Sequence, residues 1–374
     1  MTPKQGLHEL AGALGDLGTF LPLTIGAILV GGLPAGSVLV AFGLAYGLTA
    51  AVYRAPIPVQ PMKVVGAVLI TTAPASDVVI AGGLILGAAF LALGSSSALQ
   101  RLAQRIPDIV IAALQAGLGL SLAWTALELL APSPWVGLAF VVIAGTLLLA
   151  RPGWPTAIVV LALAALSAPW LGDIPTEPVA ASGLATPSLP GLDALVTGLV
   201  LIALPQFPLT VTNAVMVTAR AGRQYFPHAQ RLDIRHLALT TGVLNLATAP
   251  FGALPMCHGA GGVAAHYRFG ARTALAPAAL GGVLLLLGLL AAGETTRALA
   301  RLPDAALAAL VLIPAIDLVR MAYPARFHGA DRPLLAALTA IAVFSPALAF
   351  LAGLAAVPLI QRFRRSRGGA TRPD

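Results

Sequence analysis

Two short stretches hold the densest chemistry in this chain. PIPVQPMK (56–63) and GALPMCHGAGG (252–262) each place proline-rich backbone directly before a short apolar run. Proline cannot continue a preceding helix, and it biases the residue before it toward extended backbone. Each stretch therefore predicts an extended piece leading into a half-length helix. A helix N-terminus carries roughly half a positive charge and a set of free N–H groups. Two such ends aimed at one another make an anion site without many arginines. Lys63 opens the first half-helix and His258 the second, while Gln60 supplies amide donors. Gly259, Gly261 and Gly262 let a ligand approach the backbone closely. The plainer readings are a snorkelling lysine for Lys63, a hydrogen-bonded packing histidine for His258 and simple packing for Cys257.

Two further segments add polar groups. GDLGTF (15–20) places Asp16 inside an apolar run, with Thr19 one turn away on nearly the same face. A buried aspartate is costly unless paired or protonated. Lys63 is the expected ion-pair partner, and a coupling proton is the other role open to Asp16. PQFPLTVTNAV (205–215) supplies Gln206, Thr210 and Asn213 as neutral donors suited to an oxyanion, or as polar contacts between helices. Asp108 and Asp304 each follow a proline and read as helix caps. Asp317 and Arg320, three residues apart, read as a local pair. The chain has no nucleophile elbow, HExxH, Walker loop or paired CxxC, so no residue pattern supports catalysis or calls for a cofactor or metal.

The elements that position these groups lie in a bilayer. Of 374 residues, 58% are hydrophobic and 10% charged, against about 25% charged in an ordinary soluble domain. A mean hydropathy of +0.90 cannot be hidden in a soluble core. The 39 glycines and 30 prolines are tolerated in spanning helices and point to broken ones. The net charge of +8 sits in short loops between apolar runs, which argues for membrane orientation and against nucleic acid. The single cysteine excludes an intrachain disulfide. No signal peptide is convincing, because Asp16 interrupts the first apolar run.

Fourteen apolar segments follow one another, at about 8–30, 34–52, 62–73, 78–94, 108–130, 134–150, 154–170, 192–219, 236–250, 258–267, 274–292, 303–321, 332–344 and 346–361. The connection 171–191 carries Asp173 and Glu177 and no Lys or Arg. It divides the chain into repeats at 1–170 and 192–361, followed by a basic tail, 362–374, expected to be disordered. With both termini cytoplasmic, Arg54, Arg101, Arg105, Arg151, Arg220, Arg223, Arg231, Arg235, Arg320, Arg326 and the tail fall inside. Only Arg297 and Arg301 fall outside. The halves echo each other: LPLT (21–24) and FPLT (207–210), PM (61–62 and 255–256), RIPD (105–108) and RLPD (301–304). Seven is odd, so the second copy enters from the opposite side. The expected fold is an all-α polytopic membrane protein built as a seven-plus-seven inverted repeat, a common build for secondary transporters.

GDLGTFLPL, PIPVQPMK, PQFPLTVTNAV and GALPMCHGAGGVAAHYRFGART resemble the molybdate transporter family, a branch related to sulfate permeases, and the likeness runs over essentially the whole chain. The resemblance implies uptake of the molybdate dianion across the inner membrane. It also implies a core domain of spans 1–4 and 8–11, a gate domain of the others, and dimers. The C-terminal regulatory domain of such relatives is not expected after a last span ending about 361. Where related sulfate permeases can carry an acidic residue in span 8 and an arginine near span 10, Gln206 and His258 stand here, so a shared proton-coupling scheme is not implied. The expected substrate-binding set is Thr19, Gln60, Lys63, Gln206, Asn213, His258 and Gly259. Sulfate or tungstate as substrate, an anion channel, and a nucleobase or bicarbonate carrier remain open on the residues alone.

Overall fold

A computed structural model describes residues 3–97, 99, 101, 106–150, 154–171, 183–322, 327 and 331–368. Asp173, Glu177, Arg105, Arg151, Arg326 and the end of the tail, 369–374, lie outside the described residues. All fourteen apolar segments are helical, because backbone polar groups in hydrocarbon must be satisfied within the segment. The helices are α1 (Pro3–Leu14), α2 (Leu17–Leu29), α3 (Ala35–Tyr53), α4 (Lys63–Thr72), α5 (Ser76–Ser95), α6 (Asp108–Leu130), α7 (Pro134–Ala150) and α8 (Thr156–Leu171) in the first half. The second half holds α9 (Leu192–Tyr225), α10 (Ile234–Thr248), α11 (Ala260–Arg268), α12 (Leu275–Leu290), α13 (Ala292–Ala300), α14 (Asp304–Ala322), α15 (Asp331–Phe344) and α16 (Pro346–Gly368). α3, α5, α6 and α9 are each long and apolar enough to cross a membrane alone.

The spans sort into two groups, the core and the gate. In the core, α3 packs on α12 and α5 packs on α10. These two pairs exchange under the inverted repeat: spans two and eleven against spans four and nine. Glycines set both contacts. A Cβ at Gly43 would come within 2.7 Å of the Leu285 backbone, and one at Gly242 within 2.5 Å of the Leu91 backbone. Small residues let membrane helices approach closely. In the gate, α6 packs on α14 and α15, with α7 and α16 alongside.

Several details depart from the sequence expectations. The first span is broken: α1 and α2 meet at 49° across Gly15–Asp16. Gly15 lies against the Phe269 ring, where a Cβ would overlap. Span eight runs to Tyr225 and widens into π-helix at Leu199–Ala203 and Thr210–Val217. Pro205 and Pro208 lack N–H donors, and threonine hydroxyls serve nearby carbonyls: Thr212 donates to Pro208 O at 2.9 Å and Thr218 to Asn213 O at 2.9 Å. Residues 362–368 of the tail continue α16 rather than being disordered. Pro107 holds the N-cap position and Asp108 the first turn, with the Asp108 carboxylate 3.8 Å from Arg220. Asp317 pairs with Arg268 at 3.3 Å rather than with its neighbour Arg320, since the two helices meet face to face there.

Candidate functional site

The two extended stretches meet. Gln60–Pro61 and Met256–Cys257 form an antiparallel pair, with Gln60 opposite Cys257 and Pro61 opposite Met256. The Met62 N–H donates to Pro255 O at 2.9 Å. The pairing satisfies backbone that no helix serves, and it brings the N-termini of α4 and α11 together. Asn245 of α10 closes the outer side: its Nδ2 donates to Met256 O at 2.6 Å and its Oδ1 accepts from Met256 N at 2.9 Å. Asn245 was not among the expected site residues; its signal was an amide inside the apolar run TGVLNLAT. Asn245→Ala strips both Met256 groups of their partners, at about 1–3 kcal/mol each. The variant is expected to unfold at lower temperature in detergent by a loss of about 2 kcal/mol or more; an unchanged melting curve would rule out the clasp.

A cavity of about 10 Å³ lies between these strands and α9, lined by Gln60, Pro61, Lys63, Gln206, Leu209, Thr210, Asn213, Ala214, Cys257 and His258. That is room for about one water, too little for a tetrahedral oxyanion. Five of the seven expected residues therefore line one space: Gln60, Lys63, Gln206, Asn213 and His258. Thr19 and Gly259 do not line it; they stand behind Gln60.

The two half-helix ends are occupied differently. At α4, the Val64 N–H donates to Gln206 Oε1 at 2.9 Å, and Gln206 Nε2 donates to Thr210 Oγ1 at 2.8 Å. A neutral amide oxygen thus sits where an anion's oxygen would bind. At α11, a carboxylate is already present. Asp16 Oδ1 accepts from the Thr19 hydroxyl and from Gln60 Nε2 at 2.5 Å, and Gln60 Nε2 also reaches Thr19 Oγ1 at 2.7 Å. Asp16 Oδ2 is buried without a hydrogen-bond partner among the described residues. It lies against the first turn of α11, where a Cβ on Gly262 would come within 2.5 Å of it. Gly259 is needed for the same reason, since a Cβ there would overlap Gln60 Oε1. The expected Asp16–Lys63 ion pair is not formed. Asp16 is held by Thr19 and Gln60, and Lys63 takes no part in the ion pairs Arg220–Asp108, His236–Asp233 and Arg268–Asp317 seen among the described residues.

His258 lines the cavity, but both its nitrogens are used. Nδ1 lies 3.1 Å from Pro58 O and Nε2 lies 2.7 Å from Thr240 Oγ1. A carbonyl can only accept, so Nδ1 carries the proton, while Nε2 shares the Thr240 hydroxyl with His236 O, 2.9 Å from Thr240 Oγ1. Tyr53 OH, 2.6 Å from Thr240 Oγ1, completes the chain. His258 is a tie between the extended stretch and α10 rather than a free donor, contrary to the expectation. Asn213 is the opposite case. Its Oδ1 is buried with no hydrogen-bond partner among the described residues, and its amide faces the cavity. Tyr53 and Thr240 also went unmarked in the sequence, where they read as ordinary helix residues.

Comparison with known proteins gives a consistent picture. A family model described as "Molybdate transporter of MFS superfamily" matches residues 8–122 and 198–318, one block in each half. Molybdate transporter 1 of Arabidopsis thaliana is 28% identical over 94% of this chain and 87% of its own length. Molybdate transporter 1 of Chlamydomonas reinhardtii is 37% identical, over 45% of this chain and 33% of its own length. Among solved structures, the transmembrane domain of the cyanobacterial bicarbonate transporter BicA matches with a TM-score of 0.57 at 18% identity, covering 94% of this chain and 98% of that one. Murine Slc26a9, an anion transporter in the inward-facing state, matches with a TM-score of 0.61 at 16% identity, covering 96% of this chain and 68% of that one.

Proposed function

Because this chain belongs to the molybdate transporter family, a multi-pass membrane family, we propose that it takes up molybdate across the cytoplasmic membrane as a secondary active carrier. In this reading both termini are cytoplasmic and residues 1–170 and 192–361 are the two repeats. The connection 171–191 is extracytoplasmic, and the basic stretch 362–374 closes the chain inside. The substrate binds at the α4 end of the central cavity. Lys63 supplies charge, the Val64 N–H and the Asn213 amide donate to its oxygens, and Gln206 swings aside to admit it. Gln60, Thr19, Gly259 and His258 hold that arrangement from behind.

The observation that carries the reading is the asymmetry of the two half-helix ends. The Asp16 carboxyl already occupies the α11 end, whereas the α4 end holds a displaceable amide oxygen beside a lysine outside the ion pairs seen among the described residues. The closed cavity supports a carrier over an open channel, since a carrier must enlarge and reclose its site in each cycle. Movement of the gate helices α6 and α14 against the core supplies that change. A dimer is part of the proposal through the family resemblance of the sequence alone.

The test is molybdate uptake into proteoliposomes, with excess sulfate as competitor and preloaded molybdate for counterflow. Saturable uptake with counterflow and weak sulfate competition is expected. Uptake without counterflow would make this a channel. Equal competition by sulfate favours a second reading, a general oxyanion carrier, because N–H groups and an ammonium read charge more than size.

A further inference from the structure

We propose that the protein has a second oxyanion site, a basic vestibule where the end of α3 meets the loop between α9 and α10, which takes a tetrahedral oxyanion either free or carried on a lipid headgroup. The vestibule is a cavity of about 320 Å³ lined by Tyr53, Arg54, His228, Gln230 and Arg231, among others, with no carboxylate in its wall. Asp233, two residues beyond Arg231, is engaged elsewhere: it caps α10 by accepting from His236 N at 2.9 Å and holds the His236 ring at 2.9 Å. Neither Arg54 nor Arg231 takes part in the ion pairs seen among the described residues. Two exposed guanidiniums thus face one concave space without a neutralising partner. Guanidinium groups match tetrahedral oxyanions with paired N–H donors.

Backbone geometry fixes where Arg54 leaves its helix. Arg54 closes α3 in the left-handed region, at φ 50° and ψ 30°. Glycine is the usual residue there, and a side chain is strained. Ala73 closes α4 in the same way at φ 39°; at Arg54 the turn leaves the guanidinium in the vestibule wall. The vestibule is linked to the lining of the central cavity by hydrogen bonds. Tyr53 lines its wall, and the chain Tyr53–Thr240–His258 ends on the central cavity's lining. The site is therefore one relay of three side chains away from the central one. Its role as a staging point for transported substrate rests on the transport reading, but its existence does not.

The experiment is equilibrium binding of radiolabelled molybdate and of inorganic phosphate to the purified full chain in detergent, for wild type, Arg54→Gly/Arg231→Gln and Lys63→Ala. Glycine suits the backbone at position 54, so the double variant should fold, which matching melting curves check; His228→Gln serves as a milder second variant. Wild type should show two classes of site. The double variant should weaken one class about tenfold or more, the loss expected when charge-assisted contacts are removed, and Lys63→Ala should spare that class. A parallel arm compares nanodiscs with and without phosphatidylglycerol. If the double variant instead loses a phosphatidylglycerol-dependent rise in melting temperature, a lipid headgroup is the occupant. If the double variant matches wild type in both arms, or Lys63→Ala removes every binding class, the vestibule site is overturned. If Lys63→Ala changes nothing while the double variant loses its class, the central-site reading fails and the vestibule stands.

Discussion

Proteoliposomes carrying Lys63→Ala are expected to take up molybdate at least about thirtyfold more slowly than wild type, because removing one partner of a buried charge pair costs roughly 2–5 kcal/mol. The size of the effect follows from where Lys63 stands. It opens α4, lines the central cavity and takes part in no ion pair seen among the described residues, Asp16 being held by Thr19 and Gln60. Its charge is therefore free for a substrate, and the protein itself loses little when the charge goes. Expression and melting temperature should stay close to wild type. Uptake by Lys63→Ala at the wild-type rate would remove Lys63 from the site and would move the anion toward the α11 end.

The second large effect is expected for Gln206→Glu. The side chain keeps its shape and still accepts from the Val64 N–H. As a carboxylate it gains the helix N-terminus and Lys63 as charge partners, which offset the cost of burying it and of losing the Nε2 donation to Thr210. The same charge now occupies the place proposed for a substrate oxygen, and like charges in contact cost several kcal/mol. Uptake should fall below detection while the melting temperature is unchanged or raised. That combination separates a blocked site from a damaged protein. Retained uptake would mean that the oxyanion never reaches the α4 end. A fall in melting temperature together with uptake would mean that Gln206 is a structural bridge between α9 and α4.

In the proposed reading, the unlike half-helix ends let an inverted repeat carry one anion in its central cavity. The backbone is nearly symmetric there, two strands and two N-termini, yet the side chains delivered to the two ends differ. Span one brings a carboxylate to α11, and span eight brings an amide to α4. Two open ends would favour two anions or one tightly trapped dianion. One occupied end would leave, in this reading, a site that binds and can also release.

Much of this was legible in the residues themselves. Composition alone required a bilayer, because so few charged groups cannot cover a soluble surface. The fourteen apolar segments and the two proline-rich breaks followed from local rules, since backbone hydrogen bonding in hydrocarbon and the missing N–H of proline act within a few residues. Those rules located Gln60, Lys63, Gln206, Asn213 and His258 well enough for all five to share a cavity. What they could not supply was the partner of each group. Asp16 meets Thr19 and Gln60 instead of Lys63, His258 spends its nitrogens on Pro58 and Thr240, and Asn245 clasps Met256. The phase of each span decides such contacts. The break at Gly15–Asp16 and the π-helical turns of α9 change that phase in ways no local pattern announces. An extra residue in one turn rotates everything beyond it by about 100°. Chemistry types and depth in the membrane are thus written locally, while the choice of which buried group faces which belongs to the packing of helices far apart in the chain.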